Sequence, residues 1–380
     1  MYDSLFDADL MEEAVRLADI HRAHLHEMPE MAFEEKDTTA YIRSVCEKYP
    51  VTIIDTGMET GLVCFLDAGA EDTVALRTDI DAVPTEHGPQ HLCGHDAHAG
   101  TMLGALHCLC SAAGTLPHNV LFIFQPAEEG THGARAMLDS GILDKIPQRP
   151  ARIFGIHNRP EADCGNVIVH RGPLMSEKSV FSITLRGRAG HGSLPHKCVD
   201  PIVAAGSLIC GVQTIISRNV DPFKPAICTF NSVTAGMSES SAPETAVLTG
   251  YIRSFDHPTH ERMEDRLRTL AEDTASAYEC SCNTVITHMV PAVVNSGEMY
   301  ELALRAAEAA AGKEHIIDSD PSLASEDFAV WGTVIPSFFY WVGSGTPGRE
   351  NAPWHDPEFR VDPQYMKTAV PLLCASATVR

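Results

Sequence analysis

Residues 119–130, NVLFIFQPAEEG, carry a short apolar run straight into a turn that holds two neighbouring acids and a glycine. An apolar run of this length bounded by Pro and Gly reads as a strand covered on both faces, and RIFGIHN at 152–158 has the same character. VTIID (51–55), GLVCFLDAG (61–69) and TVALRTDID (73–81) read as further short strands between Gly and Asp turns. Helical stretches at about 98–113 and 131–140 separate them. Residues 7–28, with Leu10, Ala14, Leu17 and Leu25 set among charges, form an amphipathic helix that stops before Pro29 and should lie on the sheet. Strands alternating with helices imply an α/β fold whose functional residues gather at the carboxyl ends of the strands.

The pattern changes after Gly172. SVFSITLRG (179–187), AICTFNSVTAG (226–236) and TAVLTGYIRSF (245–255) alternate apolar with polar residues, as strands with one covered face do. Between the first two lies DPIVAAGSLICGVQTII (200–216), a helix without a wide polar face, which predicts burial in its own domain or against a second subunit. A helix over about 259–278 and the strand NTVITHMV (283–290) complete an α+β unit. The α/β style resumes from about 291, with an Ala-rich helix over 298–312, the strand PSFFYWVG (336–343) and a terminal helix. The expected organisation is a catalytic domain, 1–174 and 291–380, with a lid or dimerisation domain, 175–290, inserted in it.

The chain has 380 residues, 44% of them apolar, enough for two cores. With 51 acidic against 28 basic residues its formal charge is -23, which argues against nucleic acid or an anionic membrane as a partner. The start, MYDSLFDADLMEE, is acidic where a signal peptide is basic, and no run of about 18 apolar residues stands out, so the cytoplasm is the expected location. Twelve scattered Cys, among them Cys64, Cys108, Cys110, Cys210 and Cys228 in apolar surroundings, read as reduced core thiols.

HLCGHDAHAG (91–100) sets Cys93 and His95 two residues apart around Gly94. Side chains at i and i+2 diverge in a helix, so the pair can face one point only where the chain is bent or extended, which Gly94 permits. Asp96 is placed to cap the small-residue helix that follows. In the acidic turn, adjacent carboxylates on extended chain point to opposite sides, so one of Glu128 and Glu129 can bind a metal while the other reaches the water beside it. His157 closes the next strand at the same edge, and His355 lies in the loop GSGTPGRENAPWHDPEF. Singly, these residues read equally well as a buried thiol, a solvated turn and hydrogen-bonded histidines. Together Cys93, His95, one carboxylate, His157 and His355 supply donors for one or two divalent ions.

HRAHLHEMPEMAFEE, LRTDIDAVP, CGHDAH, FQPAEEGTHGARAML, GIHN, GRAGHGSLPH, PETAVLTGYIRSF, SEDFAVW and WHDPEF follow in the order found in the aminoacylase and carboxypeptidase superfamily of co-catalytic metallohydrolases. The chain resembles the amidohydrolase branch, which holds hippurate hydrolase, N-acyl amino acid deacylases and auxin-conjugate hydrolases. The resemblance covers nearly the whole chain and implies a mixed sheet flanked by helices. It further implies that Cys93, His95, Glu129, His157 and His355 bind two metal ions, Zn or Mn foremost and Co or Ni as options, and that Glu128 is the general base. His191 would steady the oxyanion, Arg253 would hold the substrate carboxylate, and the inserted domain would make a homodimer. His191 filling its turn and Arg253 paired with an acid are the plain alternatives. Asp79 would support a ligand, or simply pair with Arg77. Ser325 reads as a helix cap, and His196, Cys280 and Cys282 as structural.

Three departures bear on specificity. The loop from Pro84 to Cys93 is short, which opens the pocket rim; Ser240 replaces an Asn that touches the substrate backbone; and Trp354 replaces a Leu beside His355, an aromatic wall. The expected activity is hydrolysis of an N-acyl amino acid. A dipeptidase or carboxypeptidase with the same site, a silent metal or ligand binder, and a thiol redox protein using Cys93 are the rivals.

Overall fold

The structure, a computed structural model, describes residues 5–130, 132–236 and 240–380. It divides into two compact units, one of residues 1–174, 294–321 and 327–380, the other of 175–293 and 322–326.

The first unit is built on a mixed eight-stranded sheet in the order Thr52–Ile54, Leu62–Leu66, Asn119–Gln125, Thr73–Asp79, Arg152–Asp163, Ser337–Gly345, Val167–Ile168, Ile316–Ile317. Strand Thr73–Asp79 runs parallel to both its neighbours, so the ends of Thr73–Asp79 and Asn119–Gln125 coincide, with Asp79 opposite Gln125. All seven residues of each of these two strands are buried, as their apolar runs require. Helix His95–Ser111 is buried on nearly every side. Helix Ala8–His26 turns Ala14, Ala18, His21 and Leu25 inward and crosses it at Gly100 and Gly104. A Cβ at Gly104 would stand 2.6 Å from the Ala14 carbonyl oxygen, so the close crossing needs glycine.

Helix caps differ from the sequence reading. Gly94, at φ 87°, precedes helix His95–Ser111, and Asp96 pairs with His26 at 2.9 Å and Arg22 at 3.4 Å instead of capping. Ser325 does not cap helix Phe328–Gly332, which Asp327 precedes. Helix Lys36–Cys46 has no counterpart in the sequence analysis, because its cap is distant: the Glu30 carboxylate accepts from the amides of Lys36, Asp37 and Thr38 at 3.1, 3.1 and 2.8 Å.

The second unit is an antiparallel sheet in the order Ala226–Ala235, Thr245–Ser254, Glu177–Arg186, Ser281–Val290. Its strands alternate, and Phe181, Ile183, Leu185, Leu248 and Ile252 form a core with Leu208 and Val212 of helix Pro201–Thr214 and with Met263 and Leu267 of helix His257–Ala277. Helix Pro201–Thr214 and the wide turn to Asn219 make a 19-residue stretch long and apolar enough to cross a membrane by composition, contrary to the expectation that no such stretch exists; among the described residues no other helix is. One side of it, Ala204, Ala205, Leu208, Val212 and Ile215, is buried. Ile202 and Val203 on the other side are 46% and 54% exposed, and Cys210 is exposed rather than a core thiol. Ser322–Glu326 joins this unit through a bridge from Met175 to Ser322 and hydrogen bonds from Ser176 to the carbonyls of Leu323 and Ala324.

Candidate active site

A helix start (His95), the interior of a strand (His157, inside Arg152–Asp163 rather than closing it), the turn after Asn119–Gln125 (Glu129) and two loops (Cys93, His355) of the first unit bring the five donors together. Cys93 Sγ lies 3.4 Å from His157 Nε2, and His355 Nε2 lies 3.2 Å from Glu129 Oε1. The donor atoms of Cys93, His95 and His157 lie within 4.8 Å of one another, as do those of Cys93, Glu129 and His355, and those of His95, Glu128 and Glu129. Cys93 therefore belongs to two sets of three, and Glu128 sits beside them, 6% exposed. Gly94 permits this approach by its left-handed φ and by lacking a Cβ, which would stand 2.5 Å from Asn158 Nδ2. His355, at φ 68°, holds a backbone conformation rare for a side-chain-bearing residue, fixed by its amide donating to the Leu92 carbonyl at 2.8 Å.

Hydrogen bonds fix the ring protons. His157 Nδ1 donates to the Asn158 carbonyl at 2.8 Å, leaving the Nε2 lone pair toward Cys93; burial pushes this imidazole well below its ordinary pKa and so keeps it neutral. His95 Nδ1 meets Asp81 Oδ1 at 3.1 Å and turns Nε2 toward Glu129 Oε1, 4.0 Å away. Burial opposes charge on His95, but Asp79, Asp81 and Glu129 outweigh it and raise the ring to about 10. Burial pushes the Cys93 thiol far up, and the charges of Glu129, Glu128 and Asp79 push it further. The pocket thus gathers more negative charge than its own side chains neutralise. His95 Nε2 is buried without a hydrogen-bond partner. An imidazole nitrogen without a hydrogen-bond partner and a buried carboxylate beside a shared sulfur are a donor set that fits divalent metal ions, which would displace the His95 proton on binding.

Two acids stand behind His95. Asp81, not Asp79, is the close partner of His95, and its other oxygen accepts from the Glu129 amide at 2.9 Å. Asp79 lies 3.9 Å from His95 Nδ1 but 2.6 Å from His98 Nδ1, and Arg77 Nη1 meets it at 2.8 Å. Asp79 therefore makes the ion pair with Arg77 and also holds the His98 ring. Arg77 Nη2 reaches Asp327 at 2.9 Å, all three charges being fully buried. His98 and Asn158 were missed by the sequence analysis: the Asn158 amide donates to His98 Nε2 at 2.9 Å, tying the helix that starts at His95 to the strand that carries His157. Spacing offered a signal for His98, since i and i+3 share a helix face.

Trp354 packs beside His157. Its ring packs edge-on 5.0 Å from His157, its indole nitrogen donates to Asn158 Oδ1 at 3.2 Å, and the Arg159 guanidinium covers it at 4.9 Å. The loop from Pro84 to Cys93 folds as a tight hairpin, Val83–Thr85 against Gly88–Gln90. His191, Ser240 and Arg253 belong to the second unit. His191 is exposed, and its Nδ1 accepts from the Ser193 amide at 3.2 Å, so its proton sits on Nε2. Ser240 lines a cavity of about 540 Å³ with His191 and accepts from the Gly192 amide at 2.9 Å. Arg253 stacks 5.0 Å from Tyr251 and donates to the Leu323 carbonyl; among the described residues no acid pairs with it.

Residues 75–378 match the family described as Peptidase family M20/M25/M40. The chain is 35% identical over 362 residues to N-acetylcysteine deacetylase of Bacillus subtilis, covering 92% of each, and 33% identical to N-acetyldiaminopimelate deacetylase of Streptococcus uberis, covering 92% of this chain and 95% of that one. It is 30% identical to IAA-amino acid hydrolase ILR1-like 2 of Arabidopsis thaliana, covering 90% of this chain and 80% of that one. The crystal structure of the YXEP protein of Bacillus subtilis, a dinuclear metal binding peptidase, superposes with a TM-score of 0.81 at 30% identity over 98% of both chains. Fold, donor cluster and kinship define a hydrolase of amide bonds. The chain belongs to peptidase family M20/M25/M40, in its amidohydrolase branch.

Proposed function

We propose that this chain removes the acyl group from an N-acyl amino acid, releasing a carboxylate and a free amine, with Cys93, His95, Glu129, His157 and His355 holding two divalent ions. The observation that carries the reading is a thiol shared by two sets of donors with the separate carboxylate of Glu128 alongside. Bound ions would supply Lewis acidity and bring the pKa of water down to about 7. Zn and Mn suit a set of one sulfur, three imidazoles and a carboxylate, and Co or Ni would also fit it. Glu128 takes the proton from the attacking water and returns it to the leaving amine. His191, protonated on Nε2, presents the donor that a developing oxyanion strengthens, and Arg253, whose charge no acid of the described residues satisfies, grips the substrate carboxylate with its fork. Ser240 and Trp354 border the substrate, and the hairpin from Pro84 leaves the rim open. The exposed Ile202 and Val203 suit pairing with a second copy, and twelve free thiols suit the reducing cytoplasm.

A panel of N-acetyl and N-benzoyl amino acids against dipeptides, assayed with Zn, Mn, Co and Ni, tests the substrate class. Glu128→Gln is expected to lower kcat roughly 10²- to 10⁴-fold with metal content unchanged. Preference for dipeptides would make the chain a dipeptidase, and full activity in the variant would remove Glu128 from the chemistry.

A further inference from the structure

The turn that carries Glu128 is held from both sides by buried acids. On one side, Asp81 accepts from the amide of Glu129 at 2.9 Å. On the other, Glu35 Oε1 accepts from the amide of Ala127 at 2.7 Å. Ala127 is fully buried and has φ 56°, a left-handed conformation that a residue with a Cβ seldom adopts. Glu35 is itself fully buried, and its Oε2 has no hydrogen-bond partner. Nothing in its own helix explains it: Glu35 precedes helix Lys36–Cys46 without capping it, since Glu30 takes those amides. The Glu35 carboxyl is buried at a cost and holds the Ala127 amide together with its own amide and the Thr60 hydroxyl, so the acidic turn is tied to it directly.

We infer that Glu35 is a positioning residue for Glu128, holding Ala127 left-handed so that the carboxylates of residues 128 and 129 diverge, one to the donors and one to the water. This rests on Glu128 acting as the base. Residues 31–35 also press on the same turn, where a Cβ at Gly130 would stand 3.2 Å from that of Ala32. Burial pushes the Glu35 carboxyl up to about 7, and the Asp81 charge adds to the rise, so near neutrality it can carry a proton on the oxygen turned away from Ala127. A glutamine reproduces that arrangement, with one acceptor and one donor in the same places.

Three variants, Glu35→Ala, Glu35→Gln and Ala127→Gly in the Glu35→Ala background, test the inference in the full chain. Glu35→Ala should lower kcat about 10- to 100-fold with KM within about twofold. In the metal-free protein it should also speed amide exchange across 126–130. Glu35→Gln should keep both near wild type, and Ala127→Gly, which adopts left-handed φ freely, should return part of the lost kcat. Unchanged exchange at 126–130 in Glu35→Ala, or a Gln variant as impaired as the Ala variant, overturns the inference. If Glu35→Ala does not fold, the Gln variant and the single Ala127→Gly variant, expected to exchange at 126–130 as slowly as wild type, decide alone. Because exchange is read without turnover, failure of Glu128 as the base would leave the exchange result standing and show only in the activity of Glu128→Gln.

Discussion

The two units treat their polar residues differently. Strand Thr73–Asp79 is buried at all seven positions, so Arg77 and Asp79 have no route to water; they neutralise each other in place, with Asp327 a second acid on Arg77 and the His98 ring hydrogen-bonded to Asp79. Strand Thr245–Ser254 buries every second residue, so Arg253 lies on a half-covered face with a carbonyl and a ring for company and keeps its charge available. Two arginines near the ends of strands in different units thus have different surroundings. One holds the frame of a site, and the other carries the charge on which the proposed grip of a substrate carboxylate rests.

Replacing each arginine is the sharpest way to break this contrast. Arg77→Met strands two buried carboxylates and is expected to destabilise the protein by about 3–5 kcal/mol, read as a shift in the denaturant midpoint of metal-free protein. A loss under about 1 kcal/mol would mean that Asp79 and Asp327 find other partners. Arg253→Met should leave stability within about 0.5 kcal/mol, since it removes no ion pair, yet raise KM for an N-acyl amino acid about tenfold or more. An unchanged KM would return Arg253 to a structural role.

The smallest effect concerns the second unit alone. Buried Glu177 accepts from His257 at 2.8 Å and His288 at 2.9 Å. Its bond to Glu177 raises His257 above 6.5, so this contribution is complete below pH 6.5 and fades as pH climbs through the raised value. Burial opposes charge on Glu177, but the bonds from His288 and His257 outweigh it and lower the group beneath 4.5; its share is present above pH 4.5 and fades as pH falls through the lowered value. Thermal melts should therefore show this contribution at its greatest between about pH 4.5 and 6.5, worth less than ~1 kcal/mol because water screens the exposed His257 ring. His257→Gln should flatten that profile, and an unaltered profile would remove the pairing from the account.

Periodicity and apolar runs made six strands of the first sheet and the four of the second legible, because burial on one face or two writes itself directly into composition, whereas Val167–Ile168 and Ile316–Ile317 are too short to show a period. Contacts that depend on where the chain turns did not. Asp79 and Asp81 share a face on extended chain, but the strand stops at Asp79, and the bend beyond sends Asp81 to His95 while Asp79 meets His98. Local rules for helix starts likewise looked to Asp96 and Ser325, whereas Asp96 pairs with His26 and Arg22, Asp327 precedes helix Phe328–Gly332, and the true acceptor for helix Lys36–Cys46 lay six residues upstream in Glu30. The five donors and Glu128 could be picked out because their types are chemically rare together. Glu35 and Asn158 could not, since an acid or an amide in a loop is ordinary until its surroundings are known.

Ser322–Glu326 has a bearing on any attempt to shorten this protein. The chain passes between its units four times, at 174/175, 293/294, 321/322 and 326/327. Excising 175–293 and splicing the ends would therefore orphan a pentapeptide whose carbonyls at 323 and 324 are satisfied by Ser176 and Arg253. A minimal catalytic fragment would need that pentapeptide redesigned as well, five residues immediately ahead of the aspartate that neutralises Arg77.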